Sequence, residues 1–255
     1  MIKPVAFLAL FAATPAIAQV EDSARAELLG GWREGGQHIA ALKITLKPGW
    51  KTYWRAPGDA GIPPVFVWDG SRNIDVVEVE YPVPKVFDQG GMRSVGYEGS
   101  VVFPLILDAQ NAGAPIALQG QVTIGVCEDI CVPVSFAVAG DLAAGGVKDP
   151  VIQAARSSGA IAGGAMDCRI SPIDDGLRLE VQMAAPDMGS GMFTIIETAD
   201  PSVWVSQPEI VVAGGRMTSV SDLVPPDAVP FALERGGLRV THLAGGQAVE
   251  MVGCN

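Results

Sequence analysis

Cys127 and Cys131 are the residues of this chain best suited to chemistry: two thiols separated only by Glu128, Asp129 and Ile130, in a sequence with four cysteines. A pair this close can exchange with another dithiol, hold a soft metal ion or simply brace the fold. A disulfide across so short a loop removes little chain entropy, so bracing alone gains little from the spacing. That favours a bond that opens and closes. Glu128 and Asp129 bear on its reactivity, because negative charge beside a thiol disfavours the thiolate. Such a pair reacts slowly by itself and depends on a partner to supply geometry or the attacking thiolate. Sulfur alone carries both electrons of an exchange, so no metal and no cofactor is expected.

Cys168 and Cys254 differ in kind. Their pairing would close a loop over most of the C-terminal third, a link worth on the order of 4 kcal/mol in the chain-entropy model. This spacing reads as a structural disulfide.

The elements that position the first pair lie on either side of it, in Gln121-Val-Thr-Ile-Gly-Val-Cys127-Glu-Asp-Ile-Cys131-Val-Pro-Val-Ser-Phe-Ala-Val138. Val122, Ile124 and Val126 alternate on the way in, and Val132, Val134, Phe136 and Val138 on the way out. A period of two means strands with one buried face. Parity then turns both cysteines to the opposite face, across a tight turn, where two thiols can bond if their Cα atoms lie within about 7 Å.

The wider chain repeats this pattern. From Gln37 to Pro133, short apolar alternations such as Ala40, Leu42, Ile44 and Leu46 are punctuated by Lys47-Pro48-Gly49, Pro57-Gly58, Asp69-Gly70 and Gly90-Gly91. No ten-residue helical period interrupts them, which predicts an all-β antiparallel sandwich over residues 19–141. Residues 142–167 are rich in Ala and Gly and read as a linker. Within it, Asp149-Pro150 is a good N-cap and first-turn pair for a short helix over Pro150–Ser157. From Cys168 the strand signal returns with Leu177, Leu179, Val181 and Met183, and Leu238–Val252 reads as a hairpin turning at Gly245-Gly246. A second β-sandwich over 168–255 is the natural reading.

Residues 1–18 combine Lys3, an apolar run from Val5 to Ala13 and the triplet Ala16-Ile17-Ala18. That is the pattern of a cleaved secretory signal peptide, so an exported, disulfide-permissive location is expected. Gly, Pro and charged residues break up every later apolar stretch, and no direct membrane insertion is expected. The formal net charge of −11 argues against nucleic acid as a partner. With two histidines and neither a G-x-S-x-G nor an H-E-x-x-H motif, hydrolytic chemistry has little support.

Three segments resemble the periplasmic N-terminal (alpha) domain of the DsbD family of thiol:disulfide interchange proteins, in its ScsB-like branch. They are Pro48-Gly-Trp-Lys-Thr-Tyr-Trp-Arg-Ala-Pro-Gly-Asp-Ala-Gly61, Phe87-Asp-Gln-Gly-Gly-Met-Arg-Ser-Val-Gly-Tyr97 and Gly125-Val-Cys-Glu-Asp-Ile-Cys-Val-Pro133. The resemblance implies that Cys127 and Cys131 are the redox pair, with Cys131 the sulfur that forms mixed disulfides. It makes Phe87 to Ser94, with Phe87 and Met92, a cap loop over the disulfide, and places Tyr53 and Trp54 beside the site. It implies an immunoglobulin-like sandwich and a protein-disulfide reductase component that takes electrons from a thioredoxin-like or transmembrane donor and hands them to periplasmic thiol-disulfide proteins. This chain departs from full-length members in carrying neither donor domain, so the donor is expected on a separate polypeptide. Trp50, Tyr53 and Trp54 equally suit a hydrophobic core.

Two other classes compete. A Sco-like copper protein would add an imidazole to a C-x3-C pair, and only His38 and His242 are available. The thioredoxin fold of that class needs βαβ periodicity, which is missing around the motif. A non-enzymatic immunoglobulin-like interaction module would use both disulfides structurally.

Overall fold

The computed structural model describes residues 23–58, 61–89, 91–189 and 191–255; the expected signal peptide, 1–18, lies outside them. The first half contains β1 (Ala24–Glu34), β2 (Gln37–Leu46), β3 (Lys51–Tyr53), β4 (Val65–Val67), β5 (Val76–Val79), β6 (Lys85–Gln89), β7 (Met92–Glu98), β8 (Ser100–Asp108), β9 (Ile116–Cys127) and β10 (Cys131–Leu142). One antiparallel sheet runs β1-β2-β8-β5 and the other β10-β9-β3-β7-β6, with β4 also on β9. Alternation gives each sheet an apolar face. Ala40, Leu42, Ile44 and Leu46 of β2 meet Val101, Phe103, Leu105 and Leu107 of β8 and Val122, Ile124 and Val126 of β9 in one core. The antiparallel sandwich expected from the period-two pattern, immunoglobulin-like as the resemblance implies, is the fold observed.

β1 starts ahead of the alternation read from the sequence. It pairs with β2 through a bulge between Leu29 and Trp32. Gly31 sits there at φ +66°, where a Cβ would collide with the Ile39 carbonyl. The extra residue breaks the period, which hides the strand.

The connecting segment is tied down rather than loose. Its helix α1 (Pro150–Ser157) is capped by the Asp149 side chain, which accepts from the Val151 amide. Ile152 is fully buried with Trp32, Ile39, Ala41 and Ile106, covering the outer face of the β1-β2-β8-β5 sheet. Arg156 adds a two-point ion pair to Glu80. Among the described residues no helix is long and apolar enough to cross a membrane.

The second half comprises β11 (Ile161–Ala162), β12 (Met166–Ile173), β13 (Gly176–Ala184), β14 (Phe193–Glu197), β15 (Trp204–Val205), β16 (Glu209–Ala213), β17 (Arg216–Val224), β18 (Arg239–Ala244) and β19 (Gln247–Val252). A sheet ordered β12-β13-β17-β15, with β16 also on β17, packs over a sheet ordered β11-β19-β18-β14. Leu179, Val181, Met217, Leu223 and Val240 are among the residues of this second core. The β11-β19-β18-β14 sheet is apolar on both faces. Ile196, Val240 and Met251 point into the second core, while Phe193, Leu243 and Ala248 join the core of the first half. The two sandwiches are therefore welded by side chains.

Candidate functional site

The site grows out of the β9–β10 hairpin. Val126 opposes Val132 and Ile124 opposes Val134 on the core side, so the next opposed pair, Cys127 and Cys131, shares the outer side. Their Cα atoms are 4.2 Å apart and their sulfurs are bonded. The link closes the hairpin at its mouth, and Glu128, Asp129 and Ile130 bend outward as an exposed turn. The two sulfurs are not equivalent: Cys127 is only 2% exposed, whereas Cys131 is half-buried on the edge strand.

β3 supplies the floor next to them. Thr52 opposes Val126 and donates a 2.8 Å hydrogen bond to the Gly125 carbonyl, which clamps β3 to β9. Alternation along β3 then puts Lys51 and Tyr53 on the cysteine face. The Tyr53 hydroxyl lies 2.9 Å from Cys131 Sγ. Burial raises the pKa of this phenol above its ordinary value, so it stays protonated at neutral pH and is a proton donor toward sulfur. Gly125 makes room for it: a Cβ there would stand 2.6 Å from Ile62 and 2.9 Å from the Tyr53 ring. Trp54, the next residue, turns to the other face and joins the core, with the Arg55 guanidinium 4.1 Å from its ring centre.

The β6–β7 hairpin continues the same outer face. Gly96 opposes Tyr53, and Ser94 and Met92 follow at every second position, with Phe87 opposite Ser94. Met92 is 59% exposed and Phe87 half-buried. Lys51 links this hairpin to the disulfide: its backbone opposes Cys127, and its ammonium sits 5.0 Å from the centre of the Phe87 ring. Lys51 and Gly125 are members of the site that side-chain chemistry did not single out in the sequence. The signal for Lys51 was its parity with Tyr53.

Residues 18–139 match the family model described as "Thiol:disulfide interchange protein DsbD, N-terminal". Over that stretch the first half of this chain resembles a DsbD N-terminal domain. The whole chain is similar in fold to the crystal structure of the N-terminal periplasmic domain of ScsB from Proteus mirabilis. That match has a TM-score of 0.62 and 23% identity, and covers 92% of this chain and 95% of that one. The N-terminal domain of Neisseria meningitidis DsbD in its reduced form matches with 18% identity, covering 50% of this chain and 95% of that one, at a TM-score of 0.31. No curated protein matches the chain significantly.

The remaining candidates lie away from Cys127 and Cys131. Cys168 on β12 is bonded to Cys254, just beyond β19, with Cα atoms 5.7 Å apart, so the bond joins the two sheets of the second sandwich. His38 is buried in β2, its Nε2 2.6 Å from the Gly30 carbonyl oxygen. His242 is buried in the second sandwich, where Nδ1 meets the Thr194 hydroxyl at 2.8 Å and Nε2 meets Met183 Sδ at 3.1 Å. Both imidazoles bond elsewhere, and among the described residues no group of three or more His, Cys, Asp or Glu side chains is placed to hold a metal ion, as a Sco-like copper site would need.

Proposed function

We propose that this chain is a periplasmic thiol:disulfide exchange protein, delivered by a signal peptide over residues 1–18, that relays electrons through Cys127 and Cys131. A thioredoxin-like or transmembrane donor reduces the pair, and the reduced pair is consumed by oxidised periplasmic proteins. The observation that carries this reading is the asymmetry of the bonded pair: one sulfur buried, the other reachable and hydrogen-bonded by a protonated phenol.

That asymmetry gives each sulfur a role. A donor thiolate attacks Cys131 Sγ, the Cys127–Cys131 bond breaks, and its electron pair leaves on Cys127 Sγ, which takes up a proton. The donor's second thiol then loses its proton and attacks the donor sulfur of the mixed disulfide, releasing Cys131. The donor is oxidised and the pair reduced by two electrons. In the other half-reaction, Cys131 as thiolate attacks an acceptor disulfide and expels one acceptor sulfur, which takes up a proton; Cys127 then loses its proton and attacks Cys131, restoring the bond and releasing the second acceptor sulfur. Tyr53 donates its hydroxyl hydrogen to the Cys131 thiolate in both directions. The β6–β7 hairpin, with Phe87 and Met92, acts as a lid beside the pair, slowing attack by small thiols until a partner displaces it.

Single-cysteine variants test the assignment. Cys127→Ser traps a partner as a stable mixed disulfide on Cys131, and Cys131→Ser does not; equal trapping by both refutes this division of labour between the sulfurs.

A further inference from the structure

We propose that the turn Glu128-Asp129-Ile130 is a docking tip, and that it selects a protein whose reactive cysteine lies beside an apolar socket with a basic rim. This rests on the exchange reading of Cys131 and adds to it the recognition that brings a partner there. Ile130 is 76% exposed, the most exposed isoleucine among the described residues. An isoleucine at the mouth of a hairpin has no packing reason to face water, and it immediately precedes the sulfur that a partner must reach. Any protein that brings a thiolate to Cys131 covers this residue.

Charge says which kind of protein. Glu128 and Asp129 are exposed, and among the described residues neither carboxylate has an ion-pair partner. Reactive cysteines lie in electropositive surroundings, because positive charge is what lowers a thiol's pKa. An acidic turn beside Cys131 is complementary to such surroundings, steering encounter and fixing orientation. The same two charges repel anionic small thiols. The tip thus discriminates twice, by shape for proteins over small molecules and by charge for basic thiol environments over acidic ones.

The test uses the oxidised full-length mature chain and follows thiol release with four probes: reduced thioredoxin, neutral dithiothreitol, anionic glutathione and cationic cysteamine. Ile130→Ser is expected to slow exchange with thioredoxin about tenfold and leave the dithiothreitol rate within twofold of the parent, with Ile130→Leu restoring the thioredoxin rate. The Glu128→Gln/Asp129→Asn variant is expected to lower the cysteamine-to-glutathione rate ratio several-fold at low ionic strength, an effect that vanishes at high salt. Taking a ratio cancels any change in sulfur reactivity common to both probes. An unchanged thioredoxin rate in Ile130→Ser, an equal loss with dithiothreitol, or an unchanged ratio overturns the docking tip while leaving exchange intact. A parent chain that reacts with none of the probes overturns the exchange reading and the tip with it.

Discussion

Replacing Arg55 with alanine should loosen the joint between the two sandwiches. Arg55 follows Trp54 and reaches across the interface, where Nε and Nη2 each hold one oxygen of Glu197 at 3.0 Å. Nη2 also bonds Glu250, which is shared with Arg239 and Thr241. The side chains of Arg55, Glu197 and Glu250 are only 21%, 21% and 16% exposed. Removing one partner of a buried pair leaves the other charge uncompensated, at a cost of about 3–5 kcal/mol. Partial exposure, and the partners that Glu250 keeps, put this case at the lower end, about 3 kcal/mol. For a chain of this size that is a fall in Tm of about 6–12 °C. Removing both charges should cost far less, because Trp54, Tyr81 and Ile195 offer an apolar lining. Calorimetry and urea melts of Arg55→Ala, Glu197→Leu and Arg55→Met/Glu197→Leu form the assay, with far-UV dichroism as the check on folding. A Tm loss below about 2 °C in Arg55→Ala, or a double variant no more stable than the single one, refutes the idea that this pair clamps the halves.

Two further outcomes follow from single residues. Burial lowers the pKa of His242 to about 4, while an unfolded histidine titrates near 6.5. The unfolded state therefore binds the proton first: stability is full above about pH 6.5 and declines by about 3 kcal/mol as pH falls to about 4. Urea midpoints across that range should show this component in the parent and lose it in His242→Gln; parallel curves refute it. Phe87→Ala should speed reduction of Cys127–Cys131 by dithiothreitol several-fold if the β6–β7 hairpin is a lid, since it also removes the ring under the Lys51 ammonium. An unchanged rate removes the lid.

Much of the site could be read from local pattern because its geometry is local. Parity alone turns Cys127 and Cys131 away from Val126 and Val132, and the turn between them leaves one register available. The Asp149-Pro150 cap and the Gly245-Gly246 turn are likewise short-range signals with a mechanism. What stayed hidden depends on contacts between distant segments. Glu197 and Glu250 lie 142 and 195 residues from Arg55, and no periodicity announces that pairing. β18 and β19 read as an ordinary hairpin, yet their second face, with Leu243 and Ala248, is apolar because another sandwich covers it. Tyr53 and Trp54 are adjacent aromatics whose opposite destinations depend on β3, a strand of three residues and too short to show a period.

The placement of the pair explains how a disulfide can turn over without disturbing its fold. In the chain-entropy model, a bond between residues 4 apart contributes about 2 kcal/mol, against more than 4 for residues 86 apart. The first bond can break and reform at small cost. The β9–β10 ladder behind it runs from Cys127–Cys131 back to Ile116–Leu142, with its apolar side in the core, and none of those pairings depends on the sulfurs. Reduction therefore releases two thiols held on a preformed hairpin, Cys131 under the Tyr53 hydroxyl. Cys168–Cys254, which spans the second sandwich, has the opposite character: opening it removes the longer and stronger constraint. Only the first bond combines a small penalty for opening with a scaffold that keeps both thiols in place to close again.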